Sequence, residues 1–304
     1  MKRRLCVAFL AFAIALLFAA SASAQNKRRV VALGELRSKL LSGGDSGRDI
    51  LSLESRILKR TVFFSVFLPE AYADKQGTGR TFPVIYLFHG LDGHYDNWSG
   101  KAELSAYSTE LNEIIVTPEA ADGWYTDSAT KPNDKYETYF LEEIIPEVEG
   151  RYRIIRERRG RSIAGLSMGG YGAIKFGLKY PHMFYMVGSF SGALGAPFYN
   201  EENSTKHIGA SAVAVFGSSD ETRRANDIFG LLRAMNADQV KKLPFIYLSC
   251  GTEDMDFIFK NNRDFDALLL EKKIPHEYRE LPGKHSWDFW TSQLNEFFKV
   301  LNWQ

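Results

Sequence analysis

Unbroken apolar runs alternate along this chain with segments in which apolar residues recur every three or four positions. The runs are Pro83–Phe88, Glu113–Thr117, Ser162–Leu166, Met186–Phe190 and Phe245–Cys250. They are typical of parallel strands that are buried on both faces. Two rows of apolar residues at helical spacing predict amphipathic helices. The first row is Tyr136, Phe140, Ile144 and Val148, and the second is Trp287, Trp290, Leu294 and Phe297. Strands alternating with helices predict an α/β fold with a mostly parallel central sheet and helices on both faces.

Two further strand-like runs, Leu51–Leu58 and Thr61–Leu68, precede the first parallel strand. Their close spacing predicts an antiparallel pair at the N-terminal side of the sheet. The sequence has no internal repeat, so residues 50–304 are predicted to form one domain. Residues 193–243 do not resemble sheet, and their glycine-containing loops and polar helical pieces predict an insertion, either a lid over a site or surface decoration.

The N-terminus has the organisation of a secretory signal peptide. Basic residues at positions 2–4 are followed by an apolar run, Leu5–Ala20, and by the A-x-A site Ala22-Ser23-Ala24. The run is shorter than the roughly 18 to 20 residues of a membrane span. We therefore expect cleavage after residue 24, a linker over residues 25–49, a secreted or periplasmic product and no stable membrane anchor.

Charge and cysteine content limit the partners and cross-links of the mature chain. Loss of residues 1–24 changes the formal net charge from +1 to −2, and neither value favours binding to nucleic acid. It also removes Cys6, so that Cys250 is left without an intramolecular disulfide partner. About 280 residues can bury a large core without such cross-links.

The pentapeptide Gly165-Leu166-Ser167-Met168-Gly169 follows a predicted strand and precedes a predicted helix. In this context a G-x-S-x-G motif places its serine on a sharp strand-to-helix turn, where the small glycines let the backbone fold back. Ser167 is therefore the predicted nucleophile. A serine nucleophile needs a base to accept its proton and an acid to orient that base.

His285 and Asp254 are the predicted base and acid. His285 follows a late strand-like segment and precedes the terminal helix, whereas the other histidines lie in less suitable places. Asp254 lies after the strand Phe245–Cys250 and before a helix, between the serine and the histidine in chain order. Glu253 and Asp256 are alternatives for the acid, and Asp254 could instead only cap the helix.

An oxyanion hole needs two backbone N–H groups directed at the developing alkoxide. Met168, directly after the nucleophile, would supply one of them. The loop His89-Gly90-Leu91-Asp92-Gly93 follows an earlier strand, and Leu91 is the predicted second donor. His89 is expected to anchor this loop.

Aromatic residues in loops suggest a substrate pocket. Trp98, Trp124 and Trp287 are the candidate substrate-binding residues, although tryptophan is also a common core residue. His89, Asp92 and His94 do not belong to a larger histidine or cysteine cluster, so we expect no metal.

Four blocks of this sequence, in this order, resemble the esterase D family of α/β-hydrolases. They are His89–Gly93 with Trp98, Gly165–Ala173, Cys250–Asp254 and Pro282–Trp287. The family includes secreted feruloyl and acetylxylan esterases, tributyrin-type esterases, S-formylglutathione hydrolases and mycolyltransferases. The resemblance implies an α/β-hydrolase fold, the triad Ser167, His285 and Asp254, an oxyanion hole from Met168 and Leu91, and no required cofactor.

The function expected from the sequence is that of an exported serine carboxylic-ester hydrolase acting through an acyl-enzyme. Its substrate would be a small-molecule or polysaccharide-linked ester with a short-chain, acetyl or feruloyl group. One alternative is an acyltransferase, in which a sugar hydroxyl replaces water in the second step. The other is a non-catalytic carbohydrate-binding module of the same fold.

Overall fold

A central β-sheet organises the part of the chain that the structure describes, residues 47–74 and 79–303 of a computed structural model. The predicted signal peptide and most of the predicted linker lie outside these residues. Within them the sheet has eight strands: β1 (Arg48–Ser55), β2 (Arg60–Phe67), β3 (Val84–Phe88), β4 (Ile114–Pro118), β5 (Arg161–Leu166), β6 (Met186–Phe190), β7 (Phe245–Gly251) and β8 (His276–Leu281).

The strand order is β1-β2-β4-β3-β5-β6-β7-β8. β1 pairs antiparallel with β2, and β2 pairs antiparallel with β4. The remaining neighbours pair in parallel, which brings the C-terminal ends of β3, β5 and β7 to the same edge of the sheet. A mostly parallel sheet with an antiparallel N-terminal pair was predicted, and the structure confirms it.

The helices connect the strands across the two faces of the sheet. They are α1 (Leu104–Leu111), α2 (Tyr136–Tyr139), α3 (Ile145–Arg151), α4 (Met168–Lys179), α5 (Lys206–Phe216), α6 (Asp220–Arg224), α7 (Ile228–Ala234), α8 (Ala237–Val240), α9 (Asp256–Glu271) and α10 (Trp287–Trp303). Short 3₁₀ turns occupy Glu70–Ala73, Trp98–Gly100, Arg158–Gly160 and Ala196–Phe198.

Two apolar clusters show that both faces of the sheet are covered. Along β3, Tyr86 and Phe88 belong to the larger cluster, which includes residues of α4 and α9. Ile85 and Leu87 point the other way, into a second cluster with residues of α1 and α10. This division follows from the two-residue period of a strand. The unbroken apolar runs were therefore correctly interpreted as strands buried on both sides.

A wider turn in one helix explains an unusual apolar spacing. Tyr136, Phe140, Ile144 and Val148 are all buried and follow one another at intervals of four. An α-helix has 3.6 residues per turn, so such a row would drift around the helix by about 40° per step. A π-helical segment, Phe140–Ile144, joins α2 to α3 and adds residues to one turn. The row thereby stays directed at the sheet.

The N-terminal pair begins earlier than the sequence indicated. β1 starts at Arg48, so that Arg48 and Asp49, assigned to the linker, are strand residues. Most of β1 is only half-buried, and such a strand lacks the clear apolar alternation that marks a boundary. The segment 193–243 contains no strand and carries α5 to α8 between β6 and β7.

Candidate active site

Ser167 occupies a sharp turn between the end of β5 and the start of α4. Its backbone angles are φ 51° and ψ −115°, an unusual conformation for a residue with a side chain. Gly165 and Gly169 allow the close approach of this turn to the neighbouring backbone. A Cβ on Gly169 would lie 2.5 Å from the His89 carbonyl oxygen, and one on Gly165 would lie 2.6 Å from the Gly169 carbonyl carbon. The predicted strand-turn-helix context is therefore present.

The structure brings Ser167, His285 and Asp254 together. His285 Nε2 lies 3.0 Å from Ser167 Oγ, and His285 Nδ1 lies 2.9 Å from Asp254 Oδ1. The carboxylate accepts a hydrogen bond from Nδ1–H, which leaves Nε2 free to accept the serine proton. Ser167 is 8% exposed, so only a small part of its surface is open to solvent.

Asp254, rather than either alternative acid, contacts the histidine. Its side chain is buried, and its Oδ1 also accepts a hydrogen bond from the Met255 amide at 2.7 Å. Glu253 and Asp256 are both exposed, and Asp256 is the first residue of α9. The turn Gly251–Asp254 fixes the backbone position of Asp254, because the Asp254 amide donates a hydrogen bond to the Gly251 carbonyl oxygen.

The His285 ring is held by packing as well as by Asp254. Trp290 contacts it edge-on, with ring centroids 4.9 Å apart. His285 lies between β8 and α10, in a loop whose Gly283 carbonyl accepts the Glu253 amide at 2.9 Å. This bond joins the acid loop to the base loop. Trp290 was predicted only as a residue of the helical row, because a row does not reveal which tryptophan meets the histidine.

Met168 and Leu91 lie on two segments that border Ser167. Met168 is the first residue of α4, where backbone N–H groups lack partners within the helix and the helix dipole favours negative charge. On the other side, a Cβ on Gly90 would lie 3.5 Å from the Ser167 Cβ, so the Gly90-Leu91 segment packs against the nucleophile.

His89 controls the orientation of the Gly90-Leu91 peptide. The ring Nδ1–H donates to the Gly90 carbonyl oxygen at 2.8 Å, and the Gly93 amide donates to the same oxygen at 3.1 Å. On the other side of the ring, Nε2 accepts the Ala120 amide at 3.0 Å. In a trans peptide the N–H points opposite to the preceding C=O. The Leu91 N–H is therefore directed away from His89.

Neither a metal site nor a membrane-spanning helix is found in the described ranges. The histidines and acidic residues there include no group of three or more that could hold a metal ion. His94 Nδ1 lies 3.2 Å from Glu119, and Asp92 pairs instead with His207. Within residues 47–74 and 79–303, every helix is too short or too polar to cross a bilayer.

Comparison with known families decides the identity of the fold and its general chemistry. A profile of the family described as "Putative esterase" matches residues 55–301, which is most of the chain. The chain belongs to this esterase family. It is accordingly a carboxylic ester hydrolase, and the family resemblance seen in the four sequence blocks is confirmed.

Individual relatives support the assignment to this esterase family. An acetyl esterase of Caldicellulosiruptor saccharolyticus is 29% identical over 271 residues, covering 83% of this chain and 97% of its own. A solved ferulic acid esterase is 26% identical with a TM-score of 0.70, covering 85% of this chain and 98% of its own. A fluorophosphonate-binding serine hydrolase of Staphylococcus aureus shares the fold, with a TM-score of 0.75 at 23% identity over 85% and 99% of the two chains.

Two of the predicted substrate-binding tryptophans of this esterase are buried, so that prediction was wrong for them. Trp98 is 0% exposed, and its indole N–H donates to the Phe88 carbonyl oxygen at 2.9 Å. Trp124 is 1% exposed and packs against Tyr171 and Phe216. Trp287 is half-buried and packs edge-on against Trp98 at 5.2 Å. Side chains that a water molecule cannot reach do not line an open pocket.

The segment 193–243 contributes to the rim of the site. His207 Nε2, on α5, lies 2.7 Å from Asp92 Oδ2 in the loop His89–Gly93. Further along α5, the Ser211 hydroxyl accepts the Trp124 indole N–H at 3.0 Å. The insertion therefore rests on the loops that surround Ser167. Whether it moves as a lid stays a prediction.

A buried ionic cluster beside the site had no signature in the sequence. Lys175 of α4 is fully buried and donates to the Tyr125 carbonyl, to Thr126 Oγ1 and to Glu137 Oε2, at 2.8, 2.5 and 2.8 Å. Burial by itself would raise the pKa of Glu137, but bonds from Lys175, Lys179 and Tyr180 outweigh it and lower that pKa to about 2. The cluster joins the nucleophile helix to the loop that carries Trp124.

Proposed function

We propose that this protein is an exported serine esterase that removes acetyl groups from carbohydrate esters through Ser167, His285 and Asp254. The observation that carries the proposal is the continuous hydrogen-bonded series from Asp254 Oδ1 through His285 to Ser167 Oγ, at 2.9 and 3.0 Å. It ends at a serine on a strained turn beside two candidate N–H donors.

The geometry supports a two-step acyl transfer. Ser167 Oγ attacks the ester carbonyl carbon while His285 Nε2 takes the hydroxyl proton, and the resulting oxyanion is bound by the N–H groups of Met168 and Leu91. The tetrahedral intermediate expels the alcohol, which receives its proton from His285. Water then attacks the acyl-enzyme with His285 as base and releases the acid. Asp254 keeps the imidazole oriented and stabilises its charged form.

The burial of the side chains around Ser167 favours an acetyl group over a feruloyl group. A feruloyl ring needs an open aromatic pocket, but Trp98 and Trp124 are buried, and Ser167 is only 8% exposed. An acetyl group needs less room beside the serine than a feruloyl group. The relatives do not separate the two, because an acetyl esterase and a ferulic acid esterase both match this chain over nearly their whole length, at 29% and 26% identity. A panel of acetyl, butyryl, octanoyl and feruloyl esters tests this, and a preference for feruloyl esters would overturn the acetyl assignment.

Replacement of the nucleophile tests the serine mechanism. Ser167→Ala should lower turnover of p-nitrophenyl acetate by roughly 10⁴-fold to 10⁶-fold and abolish labelling by a fluorophosphonate. Asp254→Asn should lower kcat on the order of 10⁴-fold, because the imidazole loses its orientation. Glu253→Gln and Asp256→Asn are matched controls, and activity close to that of the unaltered enzyme is expected for both. A Ser167→Ala enzyme that stays active would refute the mechanism.

Product analysis separates hydrolysis from transfer. With glycerol or an oligosaccharide present in excess, a hydrolase should release mainly free acetic acid. A new ester as the main product would instead identify an acyltransferase with the same triad.

Export rests on the organisation of residues 1–24 and on the expected cleavage before Gln25. N-terminal sequencing of the protein recovered from culture medium or periplasm should begin at Gln25. An uncleaved chain found only in the cytoplasm would contradict the proposed export.

A further inference from the structure

The edge of the sheet opposite the catalytic groups is rich in cations. Six segments lead directly into the N-terminal ends of β3 to β8, and their described residues include nine lysines and arginines but only two acids. These segments form the basic edge of the sheet, and they are 79–83, 112–113, 152–160, 180–185, 241–244 and 272–275.

The catalytic edge has the opposite charge. The segments that follow the same six strands include eleven acids and four lysines. They are 89–103, 119–135, 167, 191–205, 252–255 and 282–286. The formal net charge of the chain after loss of residues 1–24 is only −2, so this contrast reflects the placement of the charges and not an excess of either sign.

The cations before β5, β7 and β8 lie on neighbouring segments. Adjacent strands are about 4.8 Å apart, so the starts of β5 and β8 are roughly 14 Å apart across the sheet. Arg158 joins the segments directly, because its guanidinium donates to the carbonyl oxygens of Phe184 and Leu243 at 2.9 and 3.1 Å. The exposed cations here are Arg156, Arg159, Lys241, Lys242 and Lys273.

Stabilisation of helix ends accounts for part of this charge. α9 ends at the basic edge, where a cation interacts favourably with the helix dipole. Lys272 is half-buried and donates to the carbonyl oxygens of Arg233 and Met235 at 2.9 and 3.0 Å. Lys242 and Lys273, in contrast, are exposed, so their ammonium groups are accessible to a partner.

The ion pairs of the basic edge leave its cations in excess. Arg159 pairs with Glu157 at 2.8 Å, and Lys241 pairs with Asp238 of α8 at 3.1 Å. All four side chains are more than two thirds exposed, and ion pairs in such positions contribute little to stability. Glu271, the last residue of α9, adds one further acid. An external anion can therefore replace these weak internal partners.

An exposed apolar side chain beside these cations favours a lipid surface as the partner. Leu270, in the last turn of α9, is 63% exposed, more than any other large apolar residue of the described ranges. A bilayer accepts both kinds of side chain, because cations pair with its headgroup phosphates and an apolar side chain enters the headgroup layer. A soluble polyanion offers no apolar environment for Leu270.

We propose that the basic edge binds the surface of a bilayer that contains anionic phospholipid, with Leu270 entering the headgroup layer. β5 has six residues and spans roughly 20 Å between the two edges, so Ser167 at its C-terminal end faces away from the bilayer. The interaction is reversible and weakens with salt, because it depends on exposed charges. It concerns the location of the enzyme and does not depend on the proposed esterase mechanism.

Sedimentation with sucrose-loaded vesicles tests this proposal on the chain that begins at Gln25. Vesicles of phosphatidylglycerol and phosphatidylcholine in equal parts should bind it, and vesicles of phosphatidylcholine alone should not. Each lysine near an anionic bilayer contributes about fivefold, so the double variant Lys242→Gln/Lys273→Gln should bind roughly 25-fold more weakly. Leu270→Ser should weaken binding about fivefold.

A second double variant, Lys101→Gln/Lys131→Gln, is the matched control. It removes two exposed lysines from the catalytic edge and changes the net charge equally, yet it should bind the vesicles like the unaltered chain. Binding by the unaltered chain should also fall as sodium chloride rises from about 0.05 to 0.5 M, because the Debye length shortens. This salt titration does not depend on the folding of any variant.

Equal binding by the two double variants would overturn the assignment to the basic edge. No binding to the phosphatidylglycerol vesicles, or stronger binding to soluble polygalacturonate, would overturn the bilayer as the partner. Ser167→Ala should bind the vesicles like the unaltered chain. A failure of the esterase mechanism would therefore leave the result of the vesicle experiment unaffected.

Discussion

His89 links several backbone segments around the site. Its ring bonds the Gly90 carbonyl on one side and the Ala120 amide on the other, and its own carbonyl accepts the Tyr125 hydroxyl at 3.1 Å. The side chain is 1% exposed. We therefore predict that His89 is a positioning residue, which acts through the Leu91 N–H.

His89→Ala should lower kcat for p-nitrophenyl acetate by roughly 10-fold to 100-fold with little change in KM. Loss of an oxyanion donor costs about 10²-fold to 10³-fold, and a displaced donor retains part of its effect. The donor stabilises charge that develops only in the transition state, so its displacement should lower kcat and leave substrate binding nearly unchanged. Steady-state kinetics measure both constants.

His89→Asn and His94→Ala are the controls. The Asn amide places a donor near the position of Nδ1 and should recover part of kcat, whereas His94 is exposed and its loss should have little effect. Equal activity of His89→Ala and the unaltered enzyme would disprove the positioning role.

At the scale of elements, the cluster around Lys175 and Glu137 connects α4, α2 and the loop at 124–126. Trp124 and Tyr125 in that loop have φ values of 51° and 50°, and Lys175 bonds the Tyr125 carbonyl directly. Positive φ values at residues with side chains persist only where the surroundings hold them. The cluster thus stabilises a strained loop against the nucleophile helix.

Glu137→Gln should lower the free energy of unfolding at pH 7 by about 3 kcal/mol, because it leaves Lys175 without its buried counter-charge. The pKa of Glu137 is lowered from 4.5 to about 2 in the folded protein. Its stabilising contribution is therefore fully present above about pH 5 and is lost as the pH falls towards 2.

Denaturant unfolding at several pH values measures this contribution. Burial lowers the pKa of Lys175 to about 8, so both charges of the pair are present between about pH 5 and 8. The difference between the unaltered protein and Glu137→Gln should be largest in that range and should shrink towards pH 2. Glu142→Gln, at an exposed acid of the same helical segment, should show a small difference at every pH. A Glu137→Gln difference that does not change with pH would contradict the assignment.

The sequence predicted the buried strands well, because their apolar runs reflect burial on both faces. Both ends of β6 were predicted correctly, and the ends of the other parallel strands were predicted to within one or two residues. The three side chains at the site could be predicted because each lies next to a strand end, where chain order limits the choices. The order of β3 and β4 in the sheet could not be read, because it depends on contacts between distant segments.

The errors have physical causes too. Trp98 and Trp124 lie in loops at the catalytic end, as pocket residues do, but a sequence does not show which way a loop side chain points. The bond between Glu137 and Lys175 joins residues 38 positions apart, so no local spacing reveals it. A cavity of about 680 Å³ between the insertion and α9 likewise arises only when these two segments pack together.

At the scale of the whole molecule, the fold depends on packing and needs no cross-link. Cys250 is the free thiol of the described residues, and it is buried. Burial and the nearby charge of Asp254 raise its pKa well above the usual value. A thiol in this state is a poor nucleophile.

Native protein cleaved at residue 24 should therefore resist a disulfide reagent such as Ellman's reagent, and a single thiol should react after unfolding in guanidinium chloride. The unfolding temperature should be the same with and without dithiothreitol. Rapid labelling of the folded protein would show that the region around Cys250 opens to solvent, contrary to the packing described.

The backbone angles of Ser167 have a consequence for durability. Backbone strain at such a residue costs on the order of 1 to 3 kcal/mol, and glycine would relieve it. Glycine also makes the unfolded chain more flexible, which offsets part of this gain in stability. Ser167→Gly should therefore melt about 2 to 4 °C above Ser167→Ala, although both lack the nucleophile. Calorimetry of the two variants measures the difference. Selection for heat resistance alone would therefore favour glycine over the reactive serine at this position.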